Sequence, residues 1–214
     1  MKFSVNFSTL MLILFGACSS FAQTNNIVER SFACSINDGY SMRDVAEVAR
    51  NFEWSDDSAP AVVIFRSAVA VAGEFQNDWD FVFASYYTSY EDMIEKRGVF
   101  LNRSGGRNGV GLTDVATCGS RVRVSNMRFA SPRDSGPSDF SLAASFTCEL
   151  NGTSFSDALE RARGAEMAFG SNARASVVQR AFGGPTIEQN SQVVFRVSFP
   201  DVGDFGEGMD AIQQ

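Results

Sequence analysis

The sequence predicts an α+β protein of two tandem β-α-β-β-α repeats, with antiparallel sheets and helices on one face. Three observations predict it. The first is composition: 44% hydrophobic, 20% charged and 12% aromatic residues over 214 positions suit a globular protein with a real core. The second is an internal repeat. Phe32–Arg50 aligns with Phe146–Arg163 with one gap at Asp38, and Phe, Cys, Asn, Gly, Ser, Asp, Glu, Ala and Arg coincide, nine of eighteen positions. The third is that each copy runs from an alternating apolar stretch through an Asn/Gly turn into a capped, amphipathic stretch. A period of about 113 residues marks a duplicated domain, not a solenoid.

The elements follow in order. Lys2, the apolar run Leu10–Phe15 and the small residues around Ser20–Ala22 read as a secretory signal peptide over 1–22. A second processing route competes with it, because Leu14-Phe-Gly-Ala-Cys18 resembles a lipobox in which Cys18 would be acylated, with Phe15 where Leu is usual. Either route exports the chain, to the periplasm or the outside or as a membrane-anchored lipoprotein. Neither that run nor any other apolar stretch is long enough to span a bilayer.

The first repeat occupies 23–131, a linker 132–139, and the second repeat 140–214. Strands are expected at Arg30–Ile36 and Ala144–Leu150. Each leads into a helix opened by a capping box, Ser41 to Asp44 and Ser154 to Asp157, where hydroxyl and carboxylate satisfy orphan backbone donors. Met42, Val45, Val48, Ala49 and Phe52 line one helix; Phe155, Ala158, Leu159 and Ala162 line the other. Further strands are expected at Ala61–Ala72, Asp80–Tyr86, Arg121–Phe129 and Val193–Phe199. Helices should open at Ser89–Asp92 and near Asp201–Asp204.

Charge and composition exclude several functions. There are 25 acidic and 18 basic residues, for a net charge of -7, so no nucleic-acid partner is expected. There is no histidine, which excludes Ser-His-Asp and Cys-His catalysis and His-ligated zinc. No acidic cluster has calcium-loop spacing, so no metal is expected. The glycine-rich stretch 104–111 lacks the Gly-Lys-Ser/Thr ending of a phosphate loop and reads as a plain loop. Trp54 reads as a loop anchor over the core. Asn102-Arg-Ser104 and Asn151-Gly-Thr153 are formal glycosylation sequons. Sixteen arginines stand against two lysines, and no function accounts for it.

The β-α-β-β-α order resembles the ferredoxin-like fold, and two such units in one chain resemble a fused form of the dimeric α+β-barrel superfamily. The resemblance is one of topology. Haem-binding members of that superfamily depend on a histidine that this chain lacks, so it implies no cofactor here. It also bears on the cysteines. After export Cys34, Cys118 and Cys148 remain, and the first and fourth strands of a ferredoxin-like unit are neighbours. That implies a Cys34–Cys118 bridge with Cys148 reduced and buried; Cys118–Cys148, which closes a shorter loop, is the next choice.

Strand alternation selects the candidate site. Trp79, Phe81 and Phe83 should face the helices, and Asp80, Val82, Ala84 and Tyr86 the opposite side. Arg66 shares a face with Val62, Ile64 and Ala68, and Arg196 points away from Phe195 and Val197. Arg66, Asp80, Tyr86 and Arg196 are therefore expected on the helix-free face, where arginines can fork around an anionic group. An Arg66–Asp80 structural pair is the alternative. The leading function is a non-catalytic exported protein that binds a small molecule or envelope protein through this face. A cofactor-independent α+β-barrel-type enzyme, oxygenase-like or isomerase-like, and a purely structural interaction module are the alternatives.

Overall fold

A computed structural model describes residues 26–69, 79–103, 111–131, 141–170, 172–183 and 191–211. The expected signal peptide, lipidation at Cys18, most of the glycine-rich stretch and the expected linker lie outside the described residues.

The order of elements is β1 (Asn26–Ile36), α1 (Met42–Arg50), β2 (Val62–Arg66), β3 (Phe81–Tyr87), α2 (Tyr90–Arg103), α3 (Leu112–Val115), β4 (Ala116–Cys118), β5 (Arg123–Phe129), β6 (Leu142–Glu149), α4 (Phe155–Ala168), β7 (Arg174–Phe182), β8 (Gln192–Phe199) and α5 (Val202–Ala211). Strand β1 starts four residues before the expected Arg30. Strand β2 is shorter than expected and ends at Arg66, and 67–69 are not strand. The strand β7 and the short elements α3 and β4 had no counterpart among the expected segments.

All these strands join one antiparallel sheet in the order β2-β3-β1-β5-β7-β8-β6, with β4 pairing the far end of β1. The order β2-β3-β1 of the first unit recurs as β7-β8-β6 in the second. The register recurs as well. Phe32 faces Phe83 and Cys34 faces Phe81 in the first unit; Phe146 faces Phe195 and Cys148 faces Val193 in the second. The expected pair of sheets is therefore a single sheet, because β5 of the first unit pairs with β7 of the second.

Both turns and both caps are local consequences of sequence. Gly39 and Gly152, matched in the repeat, hold φ of 86° and 83°, a region open mainly to glycine. The Asp44 carboxylate accepts from the Ser41 backbone N–H (2.7 Å) and hydroxyl (2.6 Å). Asp157 does the same for Ser154 at 3.0 and 2.7 Å.

Alternation then sorts the core. On the helix-covered face Phe81, Cys34, Val45, Val115 and Ala116 form the buried core of the first unit, with Phe32, Phe65 and Phe83 packed against it. Ala162, Val177, Val193, Val197 and Phe199 form that of the second, closed by Phe205 and Met209 of α5. Trp54 packs at a tilt against Phe52 and Phe100, with ring centroids 4.5 and 5.6 Å away. The opposite face carries a third cluster, Ile27, Ala84, Tyr86, Met127 and Val178.

Cys34 and Cys118 are direct ladder partners and are disulfide-bonded. Cys148 is free, as expected, but exposed where burial was expected. The reason is its strand. Among the described residues β6 pairs only with β8, and no fourth strand covers its other edge as β4 and β5 cover β1.

Candidate functional site

The helix-free face is concave, and one contact shows it. Two strands, β5 and β7, separate β1 from β8, which spaces them by roughly 14 Å in a flat sheet. Yet Arg196 on β8 donates from Nη1 to Oε2 of Glu29 on β1 at 3.2 Å. The ladder through Ile27, Met127, Val178 and Val194 also offsets Arg196 from Glu29 by roughly 13 Å along the strands, so the sheet must curl for the two side chains to meet.

Glu29 is the centre of the cluster. Arg66 on β2 grips it with both terminal nitrogens, Nη2 to Oε1 at 2.7 Å and Nη1 to Oε2 at 3.2 Å. The Tyr86 hydroxyl donates to Oε2 at 3.0 Å. Arg196 Nη1 also lies 3.8 Å from Met127 Sδ. The side chains of Glu29, Arg196 and Arg66 are 4%, 15% and 27% exposed, so the cluster grades from a buried acid to mostly covered cations.

Electrostatics follow from that packing. Burial alone would raise the Glu29 carboxyl, but Arg196 and Arg66, with the bonds from Arg66 and Tyr86, bring it down to about 2. Burial opposes the charge of Arg66 too, and Tyr86 and Glu29 outweigh it, so Arg66 stays protonated. Burial and then the Glu29 charge push the Tyr86 phenol upward. Glu29 is thus a fixed anion and Tyr86 a fixed neutral donor near neutral pH. One carboxylate against two guanidinium groups leaves the cluster one positive charge in excess.

Three of the four expected residues, Arg66, Tyr86 and Arg196, meet here. Asp80 does not. It lies just before β3, is exposed, and its carboxylate accepts from the Ile36 N–H at 2.7 Å. The position opposite Arg66 is Val82, so no Arg66–Asp80 pair forms across the strands. Glu29 was missed, although its place between Ile27 and Ser31 on the face of Tyr86 is a period-2 signal.

More cations share the face. Along β7, Arg174, Ser176, Val178 and Arg180 alternate onto the side of the Val178 cluster. Arg174 lies over the Phe129 ring at 3.8 Å, and Arg180 lines a cavity of about 220 Å³ with Ser125, Thr147 and Gln192. No group of three or more potential metal ligands occurs among the described residues.

No protein-family profile and no curated protein sequence matches the chain. Solved structures do resemble it in outline. TA0507, a candidate chlorite dismutase, is 12% identical with a TM-score of 0.46, covering 89% of this chain and 87% of that one. The chlorite dismutase of Candidatus Nitrospira defluvii in complex with imidazole is 11% identical with a TM-score of 0.45, covering 90% and 84%. An arginine-to-alanine mutant of the same enzyme is 13% identical with a TM-score of 0.42, covering 90% and 84%. Likeness this distant bears on neither activity nor ligand.

Proposed function

We propose that the concave face binds a small anionic molecule, a carboxylate or comparable oxyanion, at Arg66 and Arg196. The observation that carries this reading is the excess of cations: two guanidinium groups on one buried carboxylate, in a chain whose net charge is -7. A guanidinium has five N–H donors, and Glu29 engages two of those on Arg66 and one on Arg196. Glu29 sets the direction of both forks, and a ligand would complete the charge balance from the open side of the face.

Export, by secretion or with a lipid at Cys18, and descent of the two units from one duplicated domain belong to the same proposal. The matched register, caps and glycines support the duplication. A cofactor-independent α+β-barrel-type enzyme is the second reading, supported by a curled sheet with a polar cluster on its concave side. A carboxyl held at about 2 takes no proton near neutral pH, so Glu29 would not be its general base. A histidine-ligated haem does not fit this chain, which has no histidine.

Calorimetric titration with acetate, succinate, phosphate and sulfate tests the binding reading. A millimolar or tighter site that weakens at least tenfold in Arg196→Ala is the expected result. Absence of any saturable anion binding, or affinity unchanged in Arg196→Ala, would overturn it. Release of an altered product in the same mixtures would favour the enzyme.

A further inference from the structure

We infer that the second unit holds an apolar small-molecule site on the helix-covered face, beneath α4, independent of the concave cluster. A cavity of about 300 Å³ opens there, within the roughly 300–1,000 Å³ range of ligand clefts. Its lining includes Ala162 and Val177, both 0% exposed, and Val193 at 4%. They form its covered back wall, whereas Cys148, Glu149 and Arg161 of the same lining are exposed, so the space is a recess beside α4 that is open on one side.

The first unit shows what a filled version looks like. The paired register matches Phe65 with Val177 and Phe81 with Val193, since each pair holds the same place against Phe83 or Phe195, or against Cys34 or Cys148. The capping boxes match Val45 with Ala158 and Val48 with Arg161. In the first unit Phe65, Phe81, Val45 and Val48 pack into one core, joined by Val115 and Ala116 from α3 and β4. In the second unit Val177, Val193, Ala158 and Arg161 line the cavity. At all three apolar positions the second unit has the smaller side chain, and among the described residues no α3 or β4 follows β8. The void lies where the matched packing would be.

A recess of this size forfeits packing contacts along its apolar back wall, which holds water poorly. The mouth adds the chemistry of the ligand. Glu149 and Arg161 stand there with opposite charges, beside Thr153 and the free thiol of Cys148. A rim of zero net charge over an apolar floor selects an uncharged molecule, flat or chain-like, with at most one polar end.

N-phenyl-1-naphthylamine, an uncharged fluorophore, tests the site on the full exported chain. Saturable fluorescence with one probe per chain is expected, together with slower reaction of Cys148 with a bulky disulfide reagent when probe is bound. Val177→Phe/Val193→Phe, which installs the side chains of the first unit, should raise the melting temperature and weaken the probe at least tenfold. If that variant fails to fold, Ala158→Val provides the milder filling, with a several-fold loss of affinity expected. Arg66→Ala should leave probe binding unchanged, which separates this site from the concave face. No saturable binding to the unaltered chain, equal binding in the filled variants, or a dimer that shields Cys148 without probe would each overturn the inference.

Discussion

The two units share strand order, register and caps, yet the first is closed and the second is open. In the first, α3 and β4 lie against the end of β1, Cys34 is 1% exposed in its disulfide, and phenylalanines fill the space under α1. In the second, the matched cysteine is free and exposed, β6 forms the end of the sheet, and smaller residues leave a recess. The backbone plan is thus specified by features common to both units, namely the turn glycines, the capping boxes and the strand alternation. Whether that plan becomes a solid core or a cavity depends on a few side-chain volumes and one additional hairpin-sized segment.

Beside the β5–β7 ladder, Glu29 ties the two halves together by charge, since Arg66 comes from the first unit and Arg196 from the second. Removing it should give the largest effect. Glu29→Ala would leave two partly buried cations without their anion, and breaking such a buried set costs about 3–5 kcal/mol. Chemical denaturation of Glu29→Ala against the unaltered chain measures it; a loss below about 1 kcal/mol would mean the units do not lean on this contact. The pH dependence has a definite sign. The folded carboxyl sits at about 2, below its ordinary 4.5, so its stabilisation is complete above the unfolded value and drains away as pH falls from there toward 2. Denaturation followed by circular dichroism at a series of acid pH values should show a smaller loss in Glu29→Gln than in the unaltered chain, the remainder coming from carboxyls such as Asp92 that are also held low.

The disulfide is the next largest contrast. Cys34→Ser/Cys118→Ser makes the first unit resemble the second at its edge, and should cost about 2–4 kcal/mol by releasing a long loop of the unfolded chain. Cys148→Ser should change stability far less, because that side chain is exposed. Equal losses from the two changes, read from melting curves under non-reducing conditions, would erase the distinction between the units.

The sequence made these local features legible and hid the ones that depend on assembly. Ser41, Asp44, Ser154 and Asp157 could be read because a cap needs only four consecutive residues. Arg66, Tyr86 and Arg196 could be assigned to one face because parity survives whatever the strands pair with. Glu29 escaped because β1 was expected to begin at Arg30, one residue too late to include it. Strand β7 escaped because Val177 and Val178 are both buried, one on each face of a central strand, so alternation disappears there. The four-residue α3 and three-residue β4 are too short to show any period, and β4 is identified only by its pairing with β1. Asp80 was misplaced for a related reason: parity continues past the end of a strand on paper, but its carboxylate turns to the Ile36 N–H.

The smallest contrast lies in the caps, and it sharpens the comparison at the level of one hydrogen bond. In both helices the acidic residue of the first turn accepts from the backbone N–H and hydroxyl of the cap serine. In α4 the return bond is also made, since the Asp157 N–H donates to Ser154 Oγ at 3.1 Å. In α1 the side chain of Ser41 makes no such cap bond, and the Asp44 N–H donates instead to the Ser41 carbonyl at 3.0 Å. Truncating a serine cap costs about 1 kcal/mol when its oxygen satisfies a helix donor. Ser154→Ala should therefore lose about that much, and Ser41→Ala distinctly less. The order matters more than the size, because α4 roofs the recess and lacks the disulfide-stapled support that α1 has behind it. Equal melting temperatures for the two variants would show that the caps, unlike the cores beneath them, are the same in both units.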